Sequence, residues 1–94
     1  MIQKAVIHIG TLHAKPEYVE DLISSLEVLK QSPGYISHEC FRDIEDGNKI
    51  TLVEKWKSKK DHENFVKSFS QEAMDQWLNM IARVGDDSYY EEVK

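Results

Sequence analysis

The chain has few of the residues that staple, break or anchor a polypeptide. Its one cysteine, Cys40, has no partner for an internal disulfide, and residues 1–10 alternate like a strand where a signal peptide would carry an apolar core. A cytoplasmic location is therefore expected. No run approaches the roughly 20 apolar residues that cross a bilayer. Basic charge is also short: 12 Lys and Arg against 17 Asp and Glu leave a net charge of -5, with the lysines scattered along the chain. Neither nucleic acid nor an anionic membrane is an expected partner. The pairs H-x-H, H-x-x-x-H and C-x-x-C are all missing, as are a Gly-rich phosphate loop and a serine nucleophile elbow. These absences argue against metal catalysis, nucleotide use and serine hydrolysis. With no repeat, linker or low-complexity stretch, residues 1–94 read as a single domain.

What remains is the ordinary balance of a globular protein, 31% charged and 40% hydrophobic. Residues 5–12 (AVIHIGTL) are β-branched and apolar, and predict a first strand. Pro16 then suits the first turn of a helix, Glu17, Glu20 and Asp21 favour its positive end, and Val19, Leu22, Ile23, Leu26 and Leu29 recur at helical spacing. Ser32, Pro33 and Gly34 end it. Residues 35–43 (YISHECFRD) and 50–57 (ITLVEKWK) predict two more strands, joined by a tight hairpin in which Gly47 supplies positive φ after Asp46. Ser58 with Asp61 three residues on predicts a capped helix bearing His62, Phe65, Val66 and Phe69 on one stripe. Ser70 caps a further helix through Met74, Trp77, Leu78 and Ile81, with Gly85 placed to end it. Asp86 and Asp87 read as a turn, and residues 88–93 (SYYEEV) as a closing edge strand.

The order strand, helix, strand, strand, helices, strand is the split βαβ arrangement of ferredoxin-like α+β proteins, an antiparallel sheet with helices on one face. Strands one and three are apolar at both parities, so the other face also needs cover. A chain this short buries only about 60 to 65% of its unfolded surface. A symmetric homodimer that packs two sheets together is therefore expected.

At the third strand, Leu52-Val53-Glu54-Lys55-Trp56-Lys57-Ser58, preceded by Ser32-Pro33-Gly34-Tyr35 and followed by an aromatic-bearing helix, the chain resembles the antibiotic biosynthesis monooxygenase domain family. The resemblance spans nearly the whole chain and rests on order and spacing. It implies a dimeric α+β barrel with a small cavity in each subunit, and a range of activities: oxidation of phenols and hydroquinones to quinones without flavin or metal, haem degradation, and isomerisation of a sugar derivative. In the quinone-forming branch, the resemblance matches the pocket tryptophan to Trp56 but puts Leu52 where that branch has asparagine and His62 where it has tyrosine. Phe65 stands where many quinol-oxidising relatives have histidine. Asp75 and Gln76 stand near the place of the haem ligand, which speaks against haem degradation.

Leu52, Glu54 and Trp56 share one strand face. A carboxylate in an apolar cavity can act as general base on a phenol, and it can equally pair with a lysine or arginine at the rim. His62 lies on the stripe of Phe65 and Phe69 and points toward the sheet, where a neutral imidazole accepts a proton or merely bonds nearby backbone. His8, mid-strand, is the other candidate base, whereas His13 and His38 read as solvated or structural. His8 and His38 are two strand spacings apart, on the order of 10 Å, too far to share an ion. Phe65, Phe69, Met74 and Trp77, with Trp56 and Leu52, either pack as core or wall a slot for a planar ligand. The expected activity is a cofactor-independent monooxygenase that oxidises a small electron-rich aromatic with dioxygen, with His62, Glu54 or His8 as base and no cofactor. The alternatives are a non-catalytic ligand-binding or stress-related dimer, and an isomerase of a small carbonyl compound.

Overall fold

The computed structural model describes residues 4–93; residues 1–3 of the first alternating stretch, and residue 94, lie outside it. Nine segments follow in order: strand β1 (Val6–Ala14), a 3-10 turn (Pro16–Tyr18), helix α1 (Val19–Ser25), a 3-10 helix (Leu26–Gln31), β2 (Tyr35–Arg42), β3 (Lys49–Trp56), α2 (Lys59–Lys67), α3 (Gln71–Asn79) and β4 (Ile81–Glu91). The strands form one sheet in the order β2-β3-β1-β4, with every neighbouring pair antiparallel. This is the α+β ferredoxin-like layout that the sequence predicts, and no described helix is long and apolar enough to cross a membrane.

The caps explain why the helices start where they do. Ser58 Oγ accepts from the Asp61 amide at 3.1 Å and donates to the Asp61 carboxylate at 2.8 Å, and Ser70 Oγ accepts from the Ala73 amide at 3.1 Å. Each cap contributes about 1 kcal/mol by satisfying an amide with no partner inside its helix. Pro16 opens the first helical segment, and Val19, Leu22, Leu26 and Leu29 turn inward along it.

The core forms two clusters on the helix-bearing face of the sheet. Ala14, Val19, Leu22, Ile50 and Ile81 make one; Leu26, Leu29 and Trp56, flanked by Tyr35, Leu52 and Phe65, make the other. The opposite sheet face carries Ile7, Ile9 and Val53, all half-buried, with Phe41 and Tyr90 about half exposed, at 50% and 51%.

Four expectations are corrected. The last helix stops at Asn79, and Ile81 belongs to an 11-residue strand, so the closing strand begins well before Ser88. Ile81 pairs with Ala14 at the far end of β1, and its side chain completes a core cluster, an attraction that local helical spacing does not report. Gly85 therefore ends no helix. It lies in β4 by the register shift between Gly10 and Leu12, where a Cβ would come within 3.0 Å of the Thr11 carbonyl oxygen. Asp86 and Asp87 are strand residues, because that bulge breaks the alternation by which the strand could be read.

The link between β2 and β3 is also not a two-residue glycine turn: Gly47 has no positive φ. The Asp43 carboxylate instead accepts from the amides of Glu45 and Asp46 at 2.8 and 2.9 Å, and the Asp46 carbonyl accepts from the Lys49 amide at 3.0 Å. Positive φ falls at Gly34 (φ 85°), where a Cβ would also collide with the Asp61 side chain.

Candidate functional site

Between the sheet and the helices lies a cavity of about 500 Å³. Leu26 and Leu29 from the first helical segment, Leu52 from β3, Phe65 and Phe69 from and just beyond α2, and Met74 and Trp77 from α3 make its apolar walls. Its polar end is His8, Glu54, His62 and Asp87. A wall this apolar with charge gathered at one end orients a ligand by a single polar group.

Register builds that polar end. His8 pairs with Glu54 across β1 and β3, and with Tyr89 across β1 and β4, so three polar side chains rise in one row beneath α2. Helix α2 lowers His62 onto them, and its ring stacks on that of His8 with centroids 4.1 Å apart and planes at 26°. His8, Glu54 and His62 are 7%, 3% and 8% exposed.

The contacts give each group a distinct state. His8 Nδ1 lies 3.1 Å from Glu54 Oε2, and its Nε2 lies 2.9 Å from Asp87 Oδ2. Burial pulls the His8 pKa down, but hydrogen bonds to Glu54 and Asp87 and the charge of both carboxylates outweigh it, and the net shift is upward. For His62, burial and the neighbouring charge of His8 both lower the pKa, more than Glu54, Asp87 and Glu63 raise it. The stack thus favours one protonated and one neutral ring. His62 Nδ1 meets the Tyr89 hydroxyl at 2.7 Å, while its Nε2 is 3.9 Å from Glu54 Oε1, beyond hydrogen-bond reach. Burial, followed by the charges of Glu63, Asp87 and Glu54, raises the Tyr89 pKa, so this phenol stays neutral.

Glu54 is held from two sides. Trp56 Nε1 donates to its Oε1 at 3.0 Å, a contact that the two-residue period of a strand makes available, and His8 takes Oε2. Its partners are therefore a histidine and an indole, in place of the lysine or arginine of the rim expectation.

Of the residues singled out from sequence, Leu52, Phe65, Phe69, Met74 and Trp77 line the cavity together with His8, Glu54 and His62. Trp56 does not: it is fully buried behind the wall, 5.5 Å from the Phe65 ring and 5.6 Å from that of His62 between centroids. Its link to the site runs through Glu54. His38 bonds the Tyr35 hydroxyl at 2.7 Å, and His13 meets Arg83 at 3.1 Å, both away from this end. Asp87 and Tyr89 were not among the expected site residues. No local spacing marks them, because they reach the site only through the pairing of β4 with β1.

A four-stranded antiparallel sheet with helices on one face, enclosing an apolar cavity with a histidine-carboxylate end, defines a ferredoxin-like α+β domain. Residues 5–77 match the antibiotic biosynthesis monooxygenase family, and the chain belongs to that family. Among solved structures, a Chloroflexus aurantiacus protein provisionally assigned as an antibiotic biosynthesis monooxygenase is similar at 25% identity and a TM-score of 0.81, covering 97% of this chain and 95% of that one. SnoaB from Streptomyces nogalater, described as a cofactor-independent oxygenase, shares the fold at 12% identity and a TM-score of 0.79, over 97% of this chain and 95% of its own. A Bordetella bronchiseptica protein with the same provisional assignment aligns at 18% identity and a TM-score of 0.76, over 98% and 100% of the two chains. None of the curated proteins matches the chain.

Proposed function

We propose that the protein is a cofactor-independent monooxygenase that oxidises a small electron-rich aromatic, a phenol or hydroquinone, with dioxygen. The observation that carries this reading is the placement of His62: a buried imidazole at the polar end of an apolar cavity, with Nδ1 held by Tyr89 and Nε2 unengaged. Family membership and the similarity to SnoaB support it. With Nδ1–H donating to the Tyr89 oxygen, Nε2 carries the lone pair and takes the phenolic proton. The phenolate passes one electron to dioxygen, and the two radicals join at a ring carbon as a peroxide. The peroxide takes the proton back from His62, and loss of the ring C–H proton with cleavage of the O–O bond leaves a carbonyl and water. All four electrons come from the substrate, and one oxygen atom enters the quinone while the other leaves as water. His8, held between two carboxylates, sets a positive charge against the base and beside the nascent oxygen anion, and the apolar walls keep water from the intermediates.

The same reading extends to the assembly. The half-buried apolar rows and half-exposed Phe41 and Tyr90 on the open sheet face support a homodimer in which two sheets pack together. The reaction is tested by oxygen uptake with a panel of quinols: consumption that falls at least tenfold in a His62→Ala, Glu54→Ala double variant is expected, and rates equal to that variant's would end the proposal. A binding protein is the second reading, favoured by Leu52, which lines the cavity and offers no hydrogen bond to a ligand. Native mass spectrometry separates the two, because a retained unreacted aromatic supports binding and recovered quinone supports turnover.

A further inference from the structure

We propose that His8, Glu54 and His62 form a binding site for one divalent transition-metal ion, of the borderline kind that imidazole and carboxylate together prefer. Among the described residues these three offer His Nδ1 or Nε2 and carboxylate oxygens all within 4.8 Å of one another, and all three residues are buried. Two donors bound to one ion at about 2.1 Å lie roughly 3 to 4.2 Å apart. The observed His8 Nδ1–Glu54 Oε2 and His62 Nε2–Glu54 Oε1 separations, 3.1 and 3.9 Å, already fall in that range. The third side, between the two imidazoles, closes only as their rings turn out of the stack.

The surroundings are those of a metal site. A ligating histidine is ordinarily held through its other ring nitrogen by a carboxylate or another polar oxygen, which fixes its tautomer and aim. Here Asp87 holds His8 Nε2 at 2.9 Å and Tyr89 holds His62 Nδ1 at 2.7 Å, so the nitrogens left over are the two that face Glu54. Trp56 Nε1 steadies the carboxylate itself. Two carboxylates, Glu54 and Asp87, balance the ion's double charge once the proton shared between His8 and Glu54 has left. The adjoining cavity leaves the remaining coordination positions open. Two imidazoles exclude magnesium and calcium, which prefer oxygen donors alone, and suit zinc, iron(II), cobalt and copper. Lone pairs converging on one ion cannot stay on parallel rings, so uptake opens the His8–His62 stack.

The site escapes the sequence because its ligands come from β1, β3 and α2, with no local spacing to mark them. Uptake is read without any organic substrate, so its outcome is independent of the oxidation reading. If that reading is right, a bound ion takes the Nε2 lone pair and halts proton abstraction.

The test uses the untagged full chain after dialysis against chelator, titrated with Co²⁺ and followed by calorimetry and visible absorption. The expected result is one equivalent per chain, d–d bands distinct from aqueous Co²⁺ and displacement by Zn²⁺. Affinity should fall at least tenfold in His8→Ala, His62→Ala and Glu54→Gln, about tenfold in Asp87→Asn, and stay unchanged in His13→Ala. Should a ligand variant fail to fold, Zn²⁺-induced shifts of two imidazole spin systems in the natural sequence give the same reading by NMR. Absorption that stays that of aqueous Co²⁺, uptake undiminished in the folded ligand variants, or NMR shifts confined to His13 or His38 would overturn the proposal.

Discussion

At the scale of the residue, the site is organised by a carboxylate. Glu54 takes a hydrogen bond from Trp56 and faces His8, and the stacked His62 completes the group from above. Trp56 is thereby given two tasks, filling the core and satisfying a buried acceptor. Replacing it with Phe leaves both a void and an oxygen without its donor, and should destabilise the fold by about 2 to 3 kcal/mol. Urea denaturation checks this: a loss under about 0.5 kcal/mol would mean the indole contact contributes little. His62, Glu54 and His8 could be picked out from strand parity and the helical stripe, since both are local patterns. Their mutual arrangement could not, because stacking and hydrogen bonding depend on the height at which α2 crosses the sheet. The same limit made Trp56 look like a wall of the pocket, when its ring in fact lies one layer behind Phe65.

At the scale of the element, capping and turn chemistry carried most of the boundaries. Ser58 and Ser70 cap the helices at the expected places, and Gly34 follows the first helical segment with the positive φ that glycine tolerates. Gly34→Ala combines a strained backbone with a collision against Asp61, the residue that completes the α2 cap. A loss of about 2 kcal/mol is expected, visible as a lower urea midpoint with an unchanged slope, and an unaffected midpoint would refute this account of the corner. Strand β4 was the element least legible in sequence. Its first half follows directly on α3 and carries a bulge at Gly85, so neither the two-residue alternation nor a turn announces its start. That misplaced start left Asp87 in a turn, whereas Tyr89, already on the expected closing strand, was hidden by the register that sets it opposite His8; these two residues hold the second nitrogen of each histidine.

At the scale of the whole molecule, one sheet face is roofed by helices and the other bears apolar rows of β1 and β3. Pairing of two such faces predicts a homodimer in sedimentation equilibrium at micromolar concentration. Charge placed in the centre of the face by Val53→Asp should shift it to monomer, and a natural sequence that sediments as a monomer would contradict the assembly. The fold was legible because order and periodicity define it. The chemistry was less so, because it arises where β1, β3, β4 and α2 meet.

The central claim is that a free His62 imidazole at the end of the cavity starts the oxidation of an aromatic by dioxygen. Oxygen consumption by chelator-treated protein with a panel of quinols, compared with His62→Ala, tests it most directly. The account predicts uptake matched by quinone formation, reduced at least tenfold in the variant and undiminished by chelator. Uptake unchanged in a folded His62→Ala protein would contradict it.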